Sequence, residues 1–154
     1  MSNVTKVVLD TNVLINGFKD EYSYEKRIID AVIGGEIEAY ANRQTMRENK
    51  LMSRQVIGNP NEYQKDLNDF FSQLNLVDNH RQIHIVSDPE DNKILESAVE
   101  AEAEYLVTSD NDLLQLDEYQ GVKIVTPARF WVKYKDEGGD FWKQLTNFVR
   151  GQSR

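Results

Sequence analysis

The residues best suited to chemistry in this chain are acids at the ends of apolar runs. The first is Asp10, at the break between the two apolar stretches of KVVLDTNVLING. A carboxylate beside so much apolar sequence is costly to bury unless something offsets it, so Asp10 either caps a helix or holds a cation. Asp88 and Asp91 follow the apolar run QIHIVS, and Asp110 and Asp112 follow YLVTS. If the three runs are neighbouring parallel strands, these acids meet at the carboxyl edge of one sheet, where open α/β sheets bind ligands. Carboxylates brought together repel one another and hold protons more tightly. Hard divalent cations such as Mg²⁺ or Mn²⁺ relieve that repulsion and prefer oxygen ligands. Taken singly, some of these acids suit plainer roles. Asp88 precedes Pro89 where a helix cap belongs, Asp91 lies in the first turn that follows, and Asp110 suits the cap of a short DLLQL helix. Asp88 fits a purely capping role best.

Other chemistries lack their residues. With no cysteine, the chain has no disulfide, thiolate ligand or thiol nucleophile. His80 and His84 lead into a predicted strand and make a poor zinc site. There is no GxSxG elbow and no glycine-rich phosphate loop. An aspartyl-phosphate mechanism would want a second aspartate two residues after Asp10, and Asn12 stands there.

The elements that must position the acids alternate in character. KVVLD (6–10), EIEAYA (36–41), QIHIVS (82–87), YLVTS (105–109) and VKIVT (122–126) read as strands, about five in all. Between them, 11–18, 23–35, 43–58, 61–74 and 88–104 read as helices, and Thr126 with Pro127 opens another. Short strands alternating with helices predict an α/β fold on a mainly parallel sheet. In the helix over 43–58, Arg43, Arg47, Lys50 and Arg54 step along one stripe. Such a stripe is either a solvated face or, on an acidic protein, a guide for a phosphate backbone. Spacing alone does not select Glu48 from that helix. Phe18, Tyr22 and Tyr24 are candidates for stacking on bases.

A chain of 154 residues, 40% of them apolar, is expected to form one domain with a real core. The expected domain is 1–154, with 136–154 an extra C-terminal helix that packs on the sheet or meets a partner. No run is long enough for a membrane span, no signal peptide is evident, and a cytoplasmic setting is expected. The net charge of −8 argues against coating nucleic acid by charge alone. It does not argue against a nuclease whose carboxylates carry cations.

VVLDTNVLI, the ordered DPEDNKILESAVEAEAEYLVTSDNDLL that follows later, and VKIVTPARF together resemble the PIN-domain nucleases over roughly residues 4 to 132. The resemblance implies Asp10, Glu48, Asp91 and Asp110 as the catalytic, metal-binding acids, with Asp112 as a further acid. It implies a three-layer α/β/α fold and support by hydrogen bonding from Asn12, Thr108 and Ser109. It further implies a Mg²⁺- or Mn²⁺-dependent endoribonuclease, with one or two ions per site, that hydrolyses phosphodiester bonds of single-stranded RNA. The chain resembles the small stand-alone members that serve as toxins of bacterial toxin–antitoxin pairs, which implies an antitoxin protein and a homodimer as partners. The alternatives are an RNA-processing or DNA nuclease without a toxin role, and a catalytically weak RNA- or protein-binding module.

Overall fold

In a computed structural model, residues 4–57 and 60–137 are described. Among them the order is β1 (Thr5–Leu9), α1 (Thr11–Lys19), α2 (Tyr24–Ile33), β2 (Ile37–Asn42), α3 (Arg43–Ile57), α4 (Pro60–Gln73) and β3 (Asn75–Val77). There follow α5 (Pro89–Glu100), β4 (Tyr105–Val107), α6 (Asn111–Leu114), β5 (Glu118–Tyr119), β6 (Val122–Val125) and α7 (Pro127–Glu137). The strands form one six-stranded sheet in the order β3-β2-β1-β4-β6-β5, parallel except for β5 against β6. This is the expected α/β/α fold on a mainly parallel sheet.

The alternation of β1 shows how the layers arise. Val7 and Leu9 join a core with Phe18, Ile28, Ile29, Phe70 and Phe130, from α1, α2, α4 and α7. Val8 points to the opposite face, where Leu95 and Ala98 of α5 and Leu113 of α6 pack. In β4, Tyr105 and Val107 share the first face while Leu106 takes the second. A strand buried on both faces is a continuous apolar run, and KVVL and YLV are such runs. The helix ends follow local chemistry. Ser23 Oγ accepts from the Lys26 N–H at 3.1 Å to open α2, and Thr126 Oγ1 accepts from the Arg129 N–H at 3.2 Å to open α7. Gly35, at φ 79°, makes the left-handed turn after α2.

Two expectations need correction. QIHIVS is not a strand: residues 81–88 are irregular. Its backbone is satisfied by α5 rather than by a neighbouring strand. Glu96 Oε1 accepts from the Ile83 N–H at 2.7 Å, and Asn92 Oδ1 accepts from the N–H groups of Ile85 and Val86, each at 3.1 Å. Asn92 Nδ2 donates back to the Val86 carbonyl at 2.8 Å. The sheet instead gains β3 and the short β5, which no apolar pattern announces. Phe18, a candidate for base stacking by sequence, is core: it lies in α1, edge-on to Phe70 with ring centroids 6.2 Å apart. Tyr22 is exposed, and Tyr24 carries the Arg27 guanidinium over its ring. Of the expected helix over 136–154, residues 138–154 lie outside the described residues.

Candidate functional site

The chain order places β1 and β4 side by side at the centre of the sheet, with β2 and β3 on one flank and β6 and β5 on the other. That is the switch point of the topology, where the carboxyl ends of the strands leave a crevice. Asp10 follows β1 there, and Thr108, Ser109 and Asp110 follow β4. The Asp10 N–H donates to the Val107 carbonyl at 3.0 Å, which prolongs the pairing by one residue and fixes the two ends together.

Asp10 occupies the N-cap position of α1, yet its side chain makes no capping bond. It turns toward β4 instead, where buried Thr108 donates from Oγ1 to Asp10 Oδ2 at 2.7 Å. The same Thr108 oxygen accepts from the Asp110 N–H at 3.0 Å. One hydroxyl therefore sets the positions of both acids. Burial pushes the Asp10 carboxyl above its usual range, the Thr108 and Thr11 hydrogen bonds oppose that, and the charges of Asp110 and Asp88 raise it further.

Asp91 lies in the first turn of α5 and is buried. Its pKa is pushed up to about 7, first by burial, then by the charges of Asp110, Asp10 and Asp88, and by contact with the Asp110 carboxyl. Its Oδ2 is buried with no hydrogen-bond partner. An uncompensated buried carboxylate oxygen is expensive. Asp110 caps α6, its Oδ1 accepting from the N–H groups of Asp112 and Leu113 at 2.8 and 3.4 Å. Asp88 caps α5, accepting from the Glu90 N–H at 2.9 Å. Capping and convergence are thus compatible: both caps also press their charge on Asp10 or Asp91. By sequence Asp88 is a pure cap, and its place at the start of the helix that carries Asp91 is the signal that joins it to the cluster.

The other expected residues stand differently. Glu48 lies on the exposed side of α3, where Gln44 Nε2 donates to its Oε1 at 3.3 Å. The charges acting on Asp10 and Asp91 are those of the aspartates named above, not Glu48. Asp112 is exposed in the first turn of α6. Asn12 and Ser109 are exposed, and among the described residues neither side chain hydrogen-bonds an acid, so Thr108 alone of the three expected supports does so. In the basic stripe Arg43, Arg47 and Arg54 are exposed, while Lys50 is half-buried with its ammonium 5.9 Å from the Phe71 ring centre. Arg43 lies 3.9 Å from Asp78.

The arrangement suits a divalent cation on its own chemistry. The donors are all oxygens, they repel one another, and one buried oxygen lacks a partner. Among the described residues no three acidic or histidine side chains are already closed around a single point. The acids are gathered at one crevice but held there by caps and by Thr108. Replacing Thr108 by valine should therefore cost about 1–3 kcal/mol, because the Asp10 carboxylate and the Asp110 N–H both lose their partner. Urea unfolding in EDTA measures this, and serine should restore most of the loss. Valine at wild-type stability would show that the hydroxyl orders nothing.

Sequence comparison reaches the same region. The family described as PIN domain matches residues 6–112, which takes in β1 through the first turn of α6. An uncharacterized protein of Methanocaldococcus jannaschii is 31% identical over 125 residues, covering 77% of this chain and 80% of the relative. No solved structure matches. Among the described residues no helix is long and apolar enough to cross a membrane.

Proposed function

The chain belongs to the PIN-domain family, and from that premise we propose that it is a metal-dependent endoribonuclease acting on single-stranded RNA. The observation that carries the reading is Asp91: a buried carboxyl pressed by Asp110, Asp10 and Asp88, with one oxygen that no protein group satisfies. Asp10, Asp91 and Asp110 would hold one or two Mg²⁺ or Mn²⁺ ions, with Asp88 adding charge and with exposed Glu48 and Asp112 completing the set. An ion bound there would lower the pKa of a water molecule and offset charge on the phosphate oxygens.

The chain's own groups do the rest. Thr108 fixes one oxygen of the Asp10 carboxylate at the end of β4, so that the group does not serve as an ordinary cap of α1. Asp110 commits one oxygen to the N–H groups of α6, which fixes the carboxyl plane and leaves the other oxygen for the crevice. No side chain need form a covalent bond to phosphorus. A flexible single strand suits a cleft on a protein of charge −8, since it enters with few phosphate contacts. In the cell we assign it the role of a toxin held in check by an antitoxin, as in the small PIN proteins it resembles.

Labelled single-stranded RNA incubated with the protein in Mg²⁺, Mn²⁺ or EDTA tests the activity. Cleavage in either metal and none in EDTA is expected. Equal cleavage in EDTA would refute metal dependence, and no cleavage of any RNA by folded protein would favour the binding-module reading. Growth arrest on expression tests the toxin role.

A further inference from the structure

The crevice has two unlike flanks. On the side of α6 and β5 stand exposed Asp112, Asp117 and Glu118. On the other side, at the carboxyl ends of β2 and β3, lies a cleft of about 250 Å³ whose lining includes Arg43, Gln44, Asp78, Asn79, Lys93 and Glu96. None of the four crevice aspartates lines it, but it borders the crevice through shared elements. β2, whose Asn42 lines the cleft, pairs with β1, which leads into Asp10, and Lys93 is carried by α5, the helix that also carries Asp91.

Its floor and rim differ in what they can still bind. On the floor, the Glu96 oxygens accept from the Ile83 N–H at 2.7 Å and from Asn79 Nδ2 at 3.3 Å, and Asn79 Oδ1 accepts from Ser97 at 3.2 Å. Those groups are committed to the fold. On the rim, the bonds of Lys93 Nζ are long, 3.5 Å to Gln44 Oε1 and 3.4 Å to Glu90. Arg43, beside Gln44, is exposed and holds Asp78 at the loose distance of 3.9 Å. Exposed pairs at such distances contribute little and exchange readily. A backbone phosphodiester, with one charge and two non-bridging oxygens, matches the carboxylates of Asp78 and Glu90 and replaces their long contacts with shorter charge-assisted ones.

We propose that this cleft is a subsite for the RNA strand on one side of the scissile bond, with Arg43 and Lys93 taking a backbone phosphate and Gln44 lying beside it. This rests on the reading of the crevice as a ribonuclease site. The strand runs toward β2 and β3, because extension over α6 would set its phosphates against Asp112, Asp117 and Glu118. The basic stripe of α3 then acts through its first member, Arg43, and Lys93 joins it from another helix, a pairing that spacing along one helix does not reveal.

The test compares wild type with Arg43→Ala, Lys93→Ala and the double variant. Lys65→Ala, at an exposed cation paired with Asp69 on α4, serves as control. Binding of a labelled single-stranded RNA is followed by fluorescence anisotropy in EDTA over a salt series, and cleavage kinetics are followed in Mn²⁺. The double variant should weaken binding about tenfold and flatten the log–log salt slope by about 0.7 for each phosphate no longer neutralised. The effect should fall on KM rather than kcat, with Lys65→Ala near wild type. If wild type binds and cuts RNA while the double variant binds within about twofold of it, the subsite is wrong and the ribonuclease reading stands. If wild type neither binds nor cuts, the ribonuclease reading fails and the subsite falls with it.

Discussion

Asp10→Asn is expected to leave the protein folded and to lower metal-dependent RNA cleavage by about a thousandfold or more. The substitution keeps the shape of the side chain and an oxygen for Thr108 to donate to, so the 2.7 Å hydrogen bond that orders the crevice has a counterpart in the variant. It removes the charge that a cation would need. It also removes a carboxyl that burial holds above its usual range, so the variant should be no less stable than wild type in EDTA. Two measurements decide the matter together: circular dichroism with urea unfolding for the fold, and product formation on single-stranded RNA for the activity. A folded variant that cuts RNA as fast as wild type would remove Asp10 from the site.

The second large effect concerns Asp91 and pH. Its folded pKa of about 7 lies above the ordinary value of 3.8. The folded chain therefore binds more protons than the unfolded chain between those two values, and stability in EDTA should fall as pH rises from about 4 to about 7. The stability that the protonated group confers is fully present below the lower value and gone above the upper one. Asp91→Asn cannot ionise, so it should lose this part of the slope and be more stable than wild type at about pH 8. A divalent cation changes the sign of the demand, because it needs the carboxylate rather than the acid. At about a hundredfold its Kd, Mn²⁺ should stabilise wild type by about 2.7 kcal/mol at about pH 8, by much less at about pH 5.5, and the Asp91→Asn protein hardly at all. Urea midpoints at the two pH values, with Mn²⁺ and with EDTA, measure all of this. Parallel pH profiles for wild type and Asp91→Asn, or equal Mn²⁺ protection of both, would mean that Asp91 neither titrates as described nor takes part in holding the ion.

The two acids differ in how far the sequence reveals them. Asp10 is conspicuous because a charge interrupts KVVLDTNVLI, and an unbroken run on each side leaves it nowhere to lie but at a strand end. Asp110 is conspicuous for the same reason after YLV. The sequence points to Asp91 by a partly mistaken route. QIHIVS has the pattern of a strand, which makes the acids after it a third strand end; in fact α5 itself binds that segment through Asn92 and Glu96. Side chains on a helix replace the partner strand, and alternation in the sequence does not distinguish the two partners. Glu48 enters only through family resemblance, and it stands on the exposed side of α3 beside Gln44. Asp88 is complete as a cap by sequence, because a capping bond uses one face of a carboxylate and says nothing about which way the remaining charge is directed.

The sequence alone determined the fold class, the central parallel strands and the placing of Asp10 and Asp110 at their ends, because apolar runs, breaks and caps are local properties of the chain. Packing alone set one hydroxyl, Thr108, to serve both of those acids, and brought the charge of Asp88 to bear on the cluster as well as on its cap. Only it put Lys93 beside Gln44 on one flank of the crevice. Those facts depend on which strands and helices become neighbours, and neighbours distant in the chain are chosen by the packing of both sheet faces at once rather than by any single segment.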